Sequence, residues 1–326
     1  MNERATQALF DKQLITEEQY NEISNYRSFN IFSLNAELKL FLYLSVLLFT
    51  SGIGILIYDN IDTIGHSILI SLVLIVTAIC YYFCFKKAPQ FQKQQTHFES
   101  HVMEYIVLTA NLLTCIFISY LQLQYNTFGT NYGLATIIPT TIGLFSAYYF
   151  DNKNVLSLAI TGLAAYIGLT VTPQSLLQNN FYDTASLSYA AIGLGSVLIA
   201  WNYYCSRINL KTHFSFIILT FALHLICISC LNNLINSEYY ILFFMLLAVS
   251  SYYFYHCSYQ IKSVSIFAFT VFYAFLGLNI VFYKFIDTIR LNDFFEFIIM
   301  LSPFYSIGAI FFFVQMIKKF NSEIKK

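Results

Sequence analysis

Apolar residues run along this chain in blocks of about twenty, the length that crosses a hydrocarbon layer of about 30 Å at about 1.5 Å per residue. The blocks fall at 38–58, 64–85, 102–121, 132–150, 155–172, 184–204, 213–231, 239–256, 263–285 and 294–317. This pattern predicts an all-α protein, a polytopic transmembrane helix bundle of about ten spans. A polar segment, residues 1–37, precedes the first block. In it Thr16 stands before Glu17, Glu18 and Gln19, a Thr-x-x-Gln capping box with acids in the first helical turn. A helix from Glu17 to about Tyr26 is expected, with Ile15 placed to staple onto Tyr20. Residues 3–13 predict a partner helix, and Leu9, Leu14, Ile15, Tyr20 and Ile23 are available to face one another or the membrane surface. So small a segment is no self-sufficient domain; it reads as a cytoplasmic helical cap on the bundle, with a docking site for another protein as the other reading.

Composition removes a water-soluble core as the explanation. Of 326 residues, 58% are apolar and 10% charged, against about 45–50% and about 25% in a soluble domain. The formal net charge is zero, so no nucleic-acid partner is implied. Position carries more information than balance. Of the 17 Lys and Arg, all but Lys284 and Arg290 fall in the N-terminal segment, at the start of the first block (Lys39), in the tail or in alternate loops. Basic residues are retained in the cytoplasm, so both termini are expected inside, residues 318–326 form a cytoplasmic basic tail, and the expected location is the bacterial cytoplasmic (inner) membrane. The first 37 residues hold no apolar run, so no cleavable signal peptide is expected. The seven cysteines lie mainly within apolar blocks, where a thiol behaves as a small hydrophobe. The second, fourth, sixth and eighth spans close on paired tyrosines, Tyr81–Tyr82, Tyr148–Tyr149, Tyr203–Tyr204 and Tyr252–Tyr253, which read as an aromatic belt at the head-group level.

The leading Leu14-Ile15-Thr16-Glu17-Glu18-Gln19 runs into a first span that closes on Gly52-Ile53-Gly54. An Asp59-Asn60-Ile61-Asp62 loop follows, and the third span ends in Gln124-Tyr125 ahead of Gly129. Over roughly residues 5–170 the chain thereby resembles the bacterial predicted membrane proteins grouped as domain of unknown function 2157. The resemblance implies a membrane topology and no reaction, because fold does not settle function.

Polar groups inside hydrocarbon are costly and mark function or helix association. In the third span Glu104, Asn111, Cys115 and Gln122 recur at helical spacing along one face, expected to point into the bundle. In the fourth, Thr136, Pro139, Thr140 and Thr141 interrupt the apolar run, and Pro139 frees a carbonyl one turn earlier. That carbonyl is tolerated only against protein or water. The two spans are therefore candidates to enclose a polar path that opens outside near Gln122, Gln124 and Asn126. The competing reading is interhelical hydrogen bonding, about 0.6 kcal/mol per contact.

His224, Cys227 and Cys230 read His-x-x-Cys-x-x-Cys without an evident fourth ligand, which favours packing, so neither metal nor cofactor is expected. Asp287 and Asp293 flank Arg290 as a solvated ion cluster. No nucleophile elbow, phosphate loop or paired carboxylates appear, and no catalytic residue is assigned. The expectation is a non-enzymatic multi-pass protein with an envelope, sensing or assembly role. A secondary transporter of a small solute, with its path at the third and fourth spans, is the alternative. The lipid bilayer is the partner implied, with a protein partner or homo-oligomer left open and no small-molecule substrate identified.

Overall fold

The computed structural model describes residues 10, 14–28, 34–59, 65–96, 98, 100–129, 131–171, 185–289 and 292–324. Apart from Phe10, the helix expected over 3–13 lies outside them, as do loop residues 60–62 and the side chains of the Asp287, Arg290 and Asp293 trio. Among the described residues all regular structure is helical. Contacts divide the chain into two compact units, Met1–Ile53 and Gly54–Lys326.

In the first unit, helix α1 (Glu17–Ser28) starts as its sequence dictates. The Gln19 backbone N–H donates to Thr16 Oγ1 at 3.3 Å and the Thr16 N–H donates to Gln19 Oε1 at 3.0 Å, the reciprocal pattern of a capping box. The ring of Tyr20 lies 4.9 Å from that of Phe10. Helix α2 (Leu34–Asp59) follows, and its apolar stretch carries the unit boundary.

The second unit continues through α3 (His66–Lys87), α4 (His101–Tyr125), α5 (Tyr132–Phe150), α6 (Lys153–Val171), α7 (Ala185–Arg207), a 3-10 turn (Thr212–Phe214), α8 (Ser215–Asn236), α9 (Tyr240–Ile261), α10 (Val264–Ile289) and α11 (Asn292–Ile324). Eight of the ten long helices are long and apolar enough to cross a membrane over their described residues; the other two, where the sixth and tenth spans were expected, are α7 and α11. Serines 186, 188 and 196 and Asn202 dilute the apolar character of α7. The tail expected from residue 318 continues α11 as helix to Ile324.

Several helix ends follow from particular residues. Asn126, Asp151 and Lys262 end α4, α5 and α9 in the left-handed conformation, with φ of 48°, 56° and 55°. Asn and Asp adopt it more readily than other side chains because they bond locally. In the two-residue turn Asp151-Asn152, Asn152 Oδ1 accepts the N–H groups of Asn154 and Val155 at 3.0 and 3.1 Å and so caps α6. Ser263 does the same for α10, accepting from Ile266 at 3.3 Å.

Packing runs mainly between sequence neighbours: α3 with α4, α5 with α6, α7 with α8, α8 with α9 and α9 with α10. Among the described residues the most interior helix is α8, whose Ala222, Leu223, Cys227, Cys230 and Leu234 are fully buried. Small residues let neighbours approach. A Cβ on Gly195 of α7 would stand 2.5 Å from Ile226 Cγ1 and 3.3 Å from the Ala222 carbonyl of α8, which is the close backbone approach that drives helix association in lipid.

Gly195→Leu is therefore expected to wedge α7 from α8 and cost about 1–3 kcal/mol, read as earlier unfolding in detergent. Adding Ile226→Ala should recover much of the loss, and an equal loss with and without it would contradict this packing.

Candidate functional site

The third and fourth expected spans are α4 and α5, and with α6 they line a cavity. Asn111 is buried on α4; its Nδ2 donates to the Val107 carbonyl at 2.9 Å, and a Cβ on Gly143 of α5 would stand 3.5 Å from its Oδ1. Pro139 and Thr140 are buried on α5. The hydroxyls around the proline turn onto their own helix: Thr136 donates to Gly133 at 2.8 Å, Thr140 to Thr136 at 2.6 Å and Thr141 to Ile137 at 2.8 Å. Pro139 itself has no N–H for the Ala135 carbonyl. Asn111, Cys115, Thr136, Pro139 and Thr140 line a cavity of about 200 Å³. Ser119, Ala135 and Thr136 border both it and a second cavity of about 700 Å³, which reaches Gln122, Asn131, Tyr166 and Thr170 toward the far ends of the same helices.

Gln122 is buried but spent. Its Nε2 donates to the Gly129 carbonyl at 2.8 Å and to Asn126 Oδ1 at 3.3 Å, and its Oε1 accepts the Phe128 N–H at 2.9 Å. It thereby ties down the α4–α5 turn at the cavity mouth. Gln124 is exposed and, like Glu104, lines neither cavity. Glu104 sits in the first turn of α4, where its backbone carbonyl accepts Asn152 Nδ2 at 2.7 Å. Between that contact and the smaller cavity, Val107, Ala110, Ala147 and Val155 are fully buried, so the three helices close on each other there.

Beyond this closure lies a cluster the sequence pattern did not indicate. Segment 88–96, the Asp151-Asn152 turn and the turn before α8 meet at one end, which also carries Lys86, Lys87, Lys153 and Arg207 and is here called the basic end. Asp151 and Lys211 have side-chain exposures of 1% and 0%. Lys211 Nζ donates to Asp151 Oδ2 at 2.9 Å, to the Gln94 carbonyl at 2.9 Å and to Thr96 Oγ1 at 3.3 Å. The same Oδ2 accepts the Thr96 N–H at 2.6 Å, and His213 Nε2 bonds Oδ1. Lys211 holds φ 45° while its own N–H donates to the Lys93 carbonyl at 2.7 Å. Every strong donor and acceptor in the cluster is matched, which a buried pair requires. His213 stands near a span end, as the sequence places it, but its partner is more than sixty residues away. A Lys-x-His turn and an Asp-Asn turn were visible, yet nothing in their spacing joins them.

The paired tyrosines are divided in use. Trp201 Nε1 donates to Tyr148 Oη at 2.7 Å, Phe214 meets Tyr148 edge-on at 5.3 Å and Tyr149 lies 5.3 Å from Phe85, whereas Tyr82, Tyr203, Tyr204 and Tyr252 are exposed. His224 Nδ1 pairs with Tyr273 Oη at 2.7 Å, and Cys227 and Cys230 are fully buried. Among the described residues no group of three His, Cys, Asp or Glu could hold a metal ion.

Removing Asp151 strands a buried ammonium, whereas removing Lys211 leaves Asp151 still facing His213. Asp151→Asn is expected to cost about 3–5 kcal/mol and Lys211→Met less. The double variant should be less damaged than Asp151→Asn alone, as measured by unfolding of the purified protein; additive losses would contradict the pairing.

No curated protein and no solved structure matches the chain. One family model does, over residues 7–156, a stretch that holds Asp151 and the cavity residues of α4 and α5 but not Lys211 or His213. Residues 7–156, from before α1 to the first turn of α6, are thus similar to the family described as predicted membrane protein, DUF2157, in line with the resemblance read from the sequence.

Proposed function

We propose that this is a non-enzymatic multi-pass protein of the bacterial cytoplasmic membrane that receives a small polar solute from outside in the α4–α6 cavity and senses it without passing it through. The observation that carries this reading is the asymmetry of that cavity. At one end it adjoins a space of about 700 Å³, and at the basic end Val107, Ala110, Ala147 and Val155 close it. Retention of basic residues in the cytoplasm supports placing the closed end inside and the open end outside. Both N- and C-termini then lie in the cytoplasm. The groups offered inside are an amide, hydroxyls and a thiol, with no acid or base among the lining residues of the smaller cavity. Such a lining suits hydrogen bonding to a neutral polar solute and supplies no proton-transfer pair for catalysis.

Transport is the second reading, favoured by Pro139, which stands within α5 beside the cavity and leaves the Ala135 carbonyl without its helical N–H. Against it, α10, the ninth expected span, contains no matching proline, and the packing runs mainly along the chain from neighbour to neighbour rather than between two repeated halves.

The test uses a variant that retains Cys115 as its only cysteine and a membrane-impermeant thiol reagent applied to sealed vesicles of each orientation. Labelling of Cys115, and of Cys placed at Thr140, from the outer face alone is expected, with Cys at Val107 silent from both faces. Labelling from both faces would replace sensing by transport. Silence at Cys115 and position 140 would mean a dry interior and would end the solute-binding reading.

A further inference from the structure

A further cavity of about 560 Å³, apart from the two bordered by α4 and α5, lies at the basic end between α9, α10 and α11. Its wall changes character along α11. Phe312 and Met316 belong to the apolar stretch, and Lys318 and Lys319 follow within the next turn. Across the gap α9 contributes Tyr255 and Tyr259, whose hydroxyls lie 3.3 Å apart. Tyr259 Oη donates to Glu323 Oε2 at 2.9 Å, and Lys319 Nζ stands 4.0 Å from Glu323 Oε1. Lys318 is exposed and makes no hydrogen bond or ion pair among the described residues. Two cations therefore meet one carboxylate already engaged by a tyrosine, and the rim keeps one uncompensated positive charge.

We propose that this cavity binds an anionic phospholipid, with its phosphodiester at Lys318 and Lys319 and an acyl chain along Phe312 and Met316. The single negative charge of a phosphodiester matches the surplus of the rim. Basic pockets between membrane helices at the head-group level hold anionic head groups in this way, at about 1 kcal/mol per lysine, and Tyr255 and Tyr259 are the aromatic residues that favour that depth. A free phosphate would satisfy the lysines and leave the apolar wall bare. A zwitterionic lipid would cover the wall and bring its own cation to the rim.

The test titrates the full-length protein, in neutral detergent, with dioleoyl phosphatidylglycerol, dioleoyl phosphatidylcholine and water-soluble glycerophosphoglycerol, reading bound lipid by native mass spectrometry. Phosphatidylglycerol should bind in preference to the other two. Lys318→Gln/Lys319→Gln should weaken it about thirty-fold and Lys318→Gln alone about five-fold, while Glu323→Gln should tighten it. Both lysines are exposed, so the unliganded unfolding temperature should not move. Equal binding of the two lipids, or undiminished binding by the double variant, overturns the proposal. So does glycerophosphoglycerol binding as tightly as the lipid, which would make the rim a soluble-anion site.

Discussion

An ammonium and a carboxylate withdrawn from water within one helix bundle must find each other, because either alone carries a desolvation cost of several kcal/mol. Lys211 and Asp151 do so with almost no exposed side-chain surface, and the consequences spread outward. Asp151 can accept from Lys211, His213 and Thr96 together only if segment 88–96, the α5–α6 turn and the turn before α8 hold one mutual position. The left-handed backbone at Asp151 and Lys211 is a modest local cost that this matched network offsets. Lys211 and His213 lie beyond the stretch that matches the family model, and Asp151 lies within it. The pair therefore fastens the end of the matched stretch to the helices that follow.

The same turn sets the shape of the α4–α6 cavity. Asn152, next to Asp151, caps α6 and donates to the Glu104 carbonyl at the start of α4, so three helix ends converge where the ions are matched. Fully buried aliphatic side chains fill the next turns, and space opens only beyond them, around Asn111, Pro139 and Thr140. The hydroxyls near the proline bond their own helix, which satisfies them in the absence of a ligand. The Asn111 amide is likewise used within α4. A solute entering the proposed site would have to exchange one hydrogen bond for another. The selectivity of that site then depends on shape and on the cost of leaving any of those groups unmatched.

The aromatic residues at the basic end serve packing as well as depth. Tyr148 receives a hydrogen bond from Trp201 and an edge contact from Phe214, and Tyr149 meets Phe85. One ring of these pairs can anchor at the head groups while its neighbour joins adjacent helices. At α9 and α11 the rings stand instead beside free lysine charge, so the same residue class borders a space with an apolar floor and a cationic rim.

The sequence by itself determined the class, the helices and one cap. Apolar blocks long enough to cross a bilayer leave the backbone no alternative to satisfying its own hydrogen bonds, and the helices stand where the blocks stand. The Thr16–Gln19 box was legible because both partners sit within one turn. Helical spacing on α4 likewise marked Asn111 and Gln122, both of which are buried. It could not separate Asn111, which borders a cavity, from Gln122, whose amide is consumed by its own turn, because that difference lies in loop geometry. Only the tertiary structure decided that Lys211 is the most buried cation among the described residues and that Asp151 is its partner. Long-range pairing leaves no periodic trace in the chain, and basic residues near span ends look alike until three turns are brought together and water is excluded from one of them.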